Sequence, residues 1–583
     1  MNEPTTPPVT VAALTTAVAS EATAASETAA VATRENTTHW WKHGVIYQIY
    51  PRSFQDASGD GIGDLQGLIQ KLDYLNDGTE QSLGVDAIWL SPVFVSPMAD
   101  FGYDISDYRA IDPIFGTMDD FDELLQAVHQ RGIHLILDLV LNHTSDQHPW
   151  FIDSIDSRSD KADWYIWHEG EEPPNNWLSC FGGTGWSWQP TRKAWYFHSF
   201  LPEQPDLNWR HPAVKQAVKE MMEFWLDKGV DGFRLDVANL YFKSDKLESN
   251  PVDLFRITRP YDRQQHLYDR DQPELHALYR EMRQWVDAYD NRMMVGEIMI
   301  ADIDNATIPA SYYGDNDQLH LAFNFEMLRA PFDAGTFHQI IAKWIDLLGP
   351  ENWPNYTLSN HDVKRHVFRY GTGPGGHQRA RLVACMLLTL RGTPFLYYGE
   401  EIGMPEQRVA RDDIQDPVGK YYWPLYPGRD GCRRPMMWNY PDNTFTNGDS
   451  WLPDESVDGH SVSQQEADAN SLLNWYRTLI WLRKRTPALH KGALHLLDSQ
   501  EDILAYERTG HHGYRLMILL NFSANCRTLS LHRHAITRCL ANSSPISNSS
   551  SPELIYEEGL LVLNGYQALV LEIEPDYPRK AVV

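Results

Sequence analysis

The feature that most constrains this chain is a series of eight short apolar runs spread over residues 45–398. They are 45–50 (VIYQIY), 87–90 (AIWL), 134–141 (HLILDLVL), 232–237 (GFRLDV), 293–298 (MMVGEI), 319–325 (LHLAFNF), 356–360 (YTLSN) and 394–398 (PFLYY). Near-continuous apolar character, rather than strict alternation, is the pattern of parallel strands covered on both faces. Helical patterns separate them. In 117–132, Thr117 can cap a helix whose apolar face is Phe121, Leu124, Leu125 and Val128, with Gly132 as the stop. In 211–229, Pro212 sits near the first helical position, Val214, Val218, Met221 and Trp225 line one face, and Gly229 ends it. Eight such strands alternating with helices predict the α/β class and a closed (β/α)8 (TIM) barrel.

Two stretches do not fit a bare barrel. About 65 residues, rich in Trp, Gly and Pro (PPNNWLSCFGGTGWSWQP), separate the third strand from the helix near Pro212, and loops that long are functional or are small inserted domains. After residue 486 the pattern turns to short alternating strands (ILAYER, YRLMILLNF) with polar turns and a low-complexity loop, SSPISNSSSPE, which predicts a C-terminal antiparallel β-sandwich. The expected organisation is therefore a barrel at 39–143 and 207–485, an inserted subdomain at 144–206 and a β domain at 486–583. Residues 1–38 read as a disordered tail. Their first basic residue is Arg34, and Thr and Ser break any apolar core, which argues against a secretory leader.

Composition removes several function classes. Lys+Arg 50 against Asp+Glu 79 leaves a net charge of −29, opposite to the basic face that a nucleic acid or an anionic membrane requires. No run approaches the 18 or so apolar residues of a membrane span. The five cysteines are scattered without C-x-x-C spacing, which speaks against zinc or a disulfide framework and for a reducing, cytoplasmic compartment.

Chemistry enters through acids at the strand ends. Asp138 falls late in the third run, Asp236 and Glu297 end the fourth and fifth, and Asp362 follows the seventh. In a β/α barrel these C-terminal ends converge on the face that carries active sites. Any single acid there is more simply read as half of a buried ion pair; several at successive strand ends are not. Arg234 and Asp236, two apart on a strand, point the same way, so the guanidinium is expected to keep Asp236 ionised, as a nucleophile requires. Glu297 lies among apolar neighbours and is expected to hold its proton. One charged and one protonated carboxyl suffice to cleave an acetal.

DLVLNH (138–143), GFRLDVAN (232–239), GEI (296–298) and SNHD (359–362) resemble, in order, the four signature segments of the α-amylase family of glycoside hydrolases. QPDLNW (204–209), SPMADFGYDISDY (96–108) and GRDGCRRPMMW (428–438) are similar to markers of its α-glucosidase and oligo-1,6-glucosidase branch. The resemblance spans roughly residues 39–583 and implies catalytic roles for Asp236 (nucleophile), Glu297 (acid/base) and Asp362 (transition-state stabiliser). It implies that Arg234, His143 and His361 surround the first glucose, that Asp100 and Arg429 pair to close the pocket, that Tyr103 stacks on the sugar, and that Phe181, Phe200 and Arg433 complete the walls. The implied activity is retaining exo-hydrolysis of short α-glucosides, with the two carboxyls roughly 5–5.5 Å apart. Val237, after the nucleophile, resembles the α-1,6 type, whereas 141–151, 315–323 and 414–424 resemble α-1,4 enzymes, and the balance favours α-1,4 with some α-1,6 tolerance. Oligo-1,6-glucosidases, transglucosylases, sucrose isomerases and trehalose synthases share the same acids. The expected partner is a small saccharide, the expected assembly a monomer or homodimer.

In DASGDGIGD (56–64), Asp56, Ser58, Asp60, Asp64 and the Ile62 carbonyl could offer oxygens to one hard cation. An EF-hand is ruled out by Gly67 at the twelfth position. The segment instead resembles the calcium loop of this branch, with Ser58 where Asn is usual, so structural calcium is expected and magnesium is the other candidate. A metal-free Asp/Gly turn is the plainer alternative.

Overall fold

The computed structural model describes residues 39–574 apart from 257, 301–304, 499–501, 532–534, 546–553 and 558, so the N-terminal tail and most of the low-complexity loop lie outside the described residues. Eight parallel strands form one sheet: β1 (Ile46–Ile49), β2 (Ala87–Leu90), β3 (His134–Leu139), β4 (Gly232–Leu235), β5 (Met293–Gly296), β6 (Leu321–Ala322), β7 (Asn355–Thr357) and β8 (Thr393–Tyr397). Their order, 6-5-4-3-2-1-8-7, brings the last strand against the first, as barrel closure requires. Across the remaining seam the side-chain amide of Asn355 donates to the carbonyl of Ala322 at 2.8 Å. The chain thus forms the expected barrel with a C-terminal antiparallel β domain.

The strands are shorter than the apolar runs that announced them. The fourth apolar run extends to 237 and the fifth to 298, yet the ladders stop at Leu235 and Gly296. The third stops at Leu139, the sixth shrinks to two residues, and the seventh ends at Thr357. The cause is geometric: the following residues leave the pleat to reach the open face while staying buried under the loops, so burial outlasts pairing. Asp236 and Glu297 each make one more ladder-like bond, donating to the carbonyls of Leu139 and Leu235 at 2.9 Å, before the chain turns.

The helices follow their sequence signals. Helix α1 (Met118–Gln130) starts on a reciprocal capping box between Thr117 and Asp120, and α2 (Pro212–Lys228) ends on Gly229 at φ +106°, a left-handed stop that glycine adopts without strain. Between β3 and α2, a small antiparallel sheet (Trp167–His168, Ala194–Phe197, Trp186–Gln189) encloses its own aromatic cluster of Trp177, Trp186 and Phe197.

At the C-terminal end a five-stranded sheet faces a three-stranded one. Along the strand Ile503–Thr509, Ile503 and Ala505 face the smaller sheet's cluster, whereas Leu504 and Tyr506 join the main core. This period-2 division lets one strand serve two cores. The Tyr506 hydroxyl meets Thr389 at 2.6 Å, fixing the β domain to the helix before β8.

Candidate active site

Turns beyond β3, β4, β5 and β7 converge on a cavity of about 240 Å³ lined by Asp100, Tyr103, His143, Phe181, Phe200, Asp236, Val237, Glu297, His361, Asp362 and Arg429. Arg234 and Arg433, also singled out from sequence, stand behind the lining, 1% and 0% exposed.

Arg234 organises the first half of the site. One terminal nitrogen donates to both Asp138 and Asp236 at 2.7 Å, and the other to Glu297. Asp138 also accepts from Trp89 Nε1 (3.1 Å) and the Tyr103 hydroxyl (3.2 Å). Three buried carboxylates therefore share one cation, so the pull of Arg234 on Asp236 is divided with Asp138 and Glu297. Burial, reinforced by the like charges of Glu297 and Asp138, pushes the Asp236 carboxyl well above the usual carboxylate range against the pull of Arg234. Burial likewise raises Asp138, to about 6.

Val237 departs from ordinary backbone. It sits at φ +37°, ψ +49°, a left-handed conformation that is costly for a β-branched side chain. The turn aims its N–H at the Glu297 carboxylate (3.3 Å), while Ala238 N–H donates to the Glu297 carbonyl at 2.7 Å. Backbone after β4 thus braces the acid after β5.

The opposite half is built on Arg429, whose contacts are Asp100 (2.9 Å), Asp362 (3.1 Å) and Asp416 (2.8 Å), with its planar face 5.0 Å from the Phe181 ring centre. Arg433 adds a bond to Asp362 (2.9 Å) and one to the His361 carbonyl, so it reaches the cavity through Asp362. Against the cost of burial, Arg429 and Arg433 hold Asp362 well below its usual range. Burial drives His361 down to about 3, leaving it neutral. Gln48 donates to its Nδ1 (2.8 Å), so Nε2 carries the hydrogen and meets the Tyr103 hydroxyl at 2.7 Å, which in turn donates to Asp138. Tyr103 lies parallel to the His361 ring, with centroids 5.5 Å apart. His143, after β3, is neutral for the same reason, with burial lowering it to about 4, and packs on Phe200 at 5.3 Å.

Sequence reasoning assigned no site role to Asp416 and named Asp138 without placing it among the site residues. Asp416 was legible only as a helix cap, an Asp before Pro417, and its fold onto Arg429 across 13 residues leaves no local signal.

Around 56–64 the carboxylates meet N–H groups of their own loop. Asp56 accepts from Gly59 (2.7 Å) and Gly61 (2.8 Å), Asp60 from Ile62 (2.9 Å), and Asp64 from Ala57, Ser58 and Gly67. The donors are all oxygen, as a hard cation prefers, but no three metal-ligating side chains converge among the described residues.

No helix among the described residues is long and apolar enough to cross a membrane, and all five cysteines are free thiols.

Comparison with known proteins agrees with this geometry. The alpha amylase catalytic-domain family matches residues 48–492. A probable alpha-glucosidase of Rhizobium meliloti is 43% identical over 509 residues, covering 84% of this chain and 91% of its own length. An oligo-1,6-glucosidase of Parageobacillus thermoglucosidasius is 38% identical over 539 residues, with 85% and 93% covered. The crystal structure of an alpha-glucosyl transfer enzyme, XgtA, superposes with a TM-score of 0.84 at 41% identity over 92% of this chain and all of the other. With the barrel, the strand-end acids and a family match over most of its length, the chain belongs to the α-amylase family.

Proposed function

We propose that the protein is a retaining, exo-acting α-glucosidase that releases glucose from the non-reducing end of short α-glucosides, preferring α-1,4 over α-1,6 linkages. The observation that carries this reading is the Arg429 junction, where Asp100, Asp362 and Asp416 meet one guanidinium at one end of the cavity that holds Asp236 and Glu297. A polymer cannot thread past such a junction; a chain end can reach it.

In this reading Asp236 attacks the anomeric carbon while Glu297 protonates the leaving oxygen, and Glu297 then takes a proton from the incoming water. Retaining sites hold the two carboxyls about 5–5.5 Å apart, and here both reach terminal nitrogens of one guanidinium. The step requires the charge on Asp236, where Arg234 supports it, and the proton on Glu297. Asp362, held ionised by its two arginines, faces the positive charge that develops on the sugar.

Incubation of the purified protein with maltose, isomaltose and sucrose tests the proposal. Glucose as the sole product, fastest from maltose, is the expected result. The likeness to a glucosyl transfer enzyme supports a second reading, which oligosaccharides or isomers dominating at high substrate concentration would establish in place of hydrolysis.

We also propose that the 56–64 loop takes calcium or magnesium in a structural role, remote from the reacting acids.

A further inference from the structure

We infer that Asp416 is a positioning residue for the closed end of the pocket, holding the Arg429 guanidinium so that its two terminal nitrogens address Asp362 and Asp100. The inference rests on reading this pocket as the seat of a terminal glucose.

Asp416 has no exposed surface. Its carboxylate takes the Arg429 Nε (3.2 Å), Nη2 (2.8 Å) and backbone N–H (2.7 Å). This grips the arginine along one edge and at its own peptide. Nη2 spends its other hydrogen on Asp100 at 2.9 Å, and Nη1 donates to Asp362 at 3.1 Å. Four of the five guanidinium hydrogens are thereby assigned, leaving one on Nη1 for a sugar hydroxyl. Without Asp416, a long side chain with many rotamers would choose between Asp100 and Asp362 instead of bridging them.

The mount for Asp416 is itself specific. Asp430 accepts from the N–H groups of Gln415 (2.7 Å) and Asp416 (3.1 Å), fixing the turn before the carboxylate. Gly428 is at φ +82°, and a Cβ there would lie 2.6 Å from Asp416 Oδ2, so only glycine lets the carboxylate reach the neighbouring arginine.

The test compares wild type, Asp416→Asn, Asp416→Glu, Arg429→Lys and the Asp416→Asn/Arg429→Lys double variant on maltose and on p-nitrophenyl α-glucoside. Asp416→Asn, which retains shape and loses charge, is expected to raise KM by about 30-fold or more, the low end of the cost of truncating one partner of a buried charge pair. kcat should change less, because Arg433 still holds Asp362 when Arg429 loosens. Asp416→Glu should recover part of the loss, and the double variant should be no worse than Arg429→Lys alone, because both act through one guanidinium. Unchanged KM in folded Asp416→Asn, or losses that multiply in the double variant, would overturn the inference. If Asp416→Asn does not fold, Asp416→Glu decides: a raised KM at an unaltered thermal midpoint supports positioning, and wild-type KM refutes it. A wild type that cleaves neither substrate defeats the glucosidase reading itself, whereas an active wild type with indifferent variants defeats only the role of Asp416.

Discussion

The two halves of the cavity are made of the same materials and behave oppositely. Around Arg234, one guanidinium faces Asp138, Asp236 and Glu297. Around Arg429 and Arg433, two guanidinium groups face Asp100, Asp362 and Asp416. The second set has one more cation to set against burial. In the first set Asp138 is raised to about 6 and Asp236 well above normal, burial being the main cause in each. In the second set burial is outweighed: Asp362 is lowered, and so is Asp416, which Arg429 pulls down. Asp100 is the exception and rises: burial, with the like charge of Asp416, outweighs the pull of Arg429 and Arg433 there. A carboxylate cluster is thus set for proton transfer or for fixed charge by its count of nearby cations, as much as by burial.

The sharpest way to break this comparison is to remove one acid from the half around Arg234. Asp236→Asn should lower glucoside hydrolysis by about 10⁴-fold or more, the scale of losing a nucleophile, while circular dichroism and the thermal midpoint show a folded protein. Near-normal turnover would end the assignment.

A smaller effect separates the halves by pH. Carboxyls raised in the folded state stabilise it below the unfolded value of about 4, and that contribution is lost as pH climbs through about 6. Lowered carboxyls do the reverse: the contribution of Asp362 and Asp416 is present above about pH 4 and is lost as pH falls below it. Thermal midpoints measured across pH 3–7 should therefore decline less between about 4 and 6 in Asp138→Asn than in wild type. Identical slopes would mean that the three acids do not share Arg234 as described.

The smallest expected change concerns the 56–64 loop. Millimolar calcium should raise the thermal midpoint by a few degrees through mass action on the folded state, and Asp56→Ala should abolish the response. A midpoint indifferent to both calcium and chelator would favour a turn held by its own N–H groups, where Asp56 already meets Gly59 and Gly61.

Much of the framework was legible because it is written locally. The apolar runs marked the eight strands, Thr117 and Gly229 marked helix ends, and period-2 alternation marked the β domain. Strand limits were overrun because apolar character reports burial, and the residues after β4 and β5 stay buried once pairing has ended.

Sequence alone determined which acids and which arginines this protein has, and that those on successive strands would gather at one barrel face, since strand direction and period are local properties. Only the tertiary structure decided how the charges are shared. Arg234 reaches Asp138, 96 residues earlier in the chain, and Glu297, 63 later, while Arg429 reaches back to Asp100. Protonation follows from the sum of all such distances in a low-dielectric pocket, and no window of neighbouring residues contains that sum.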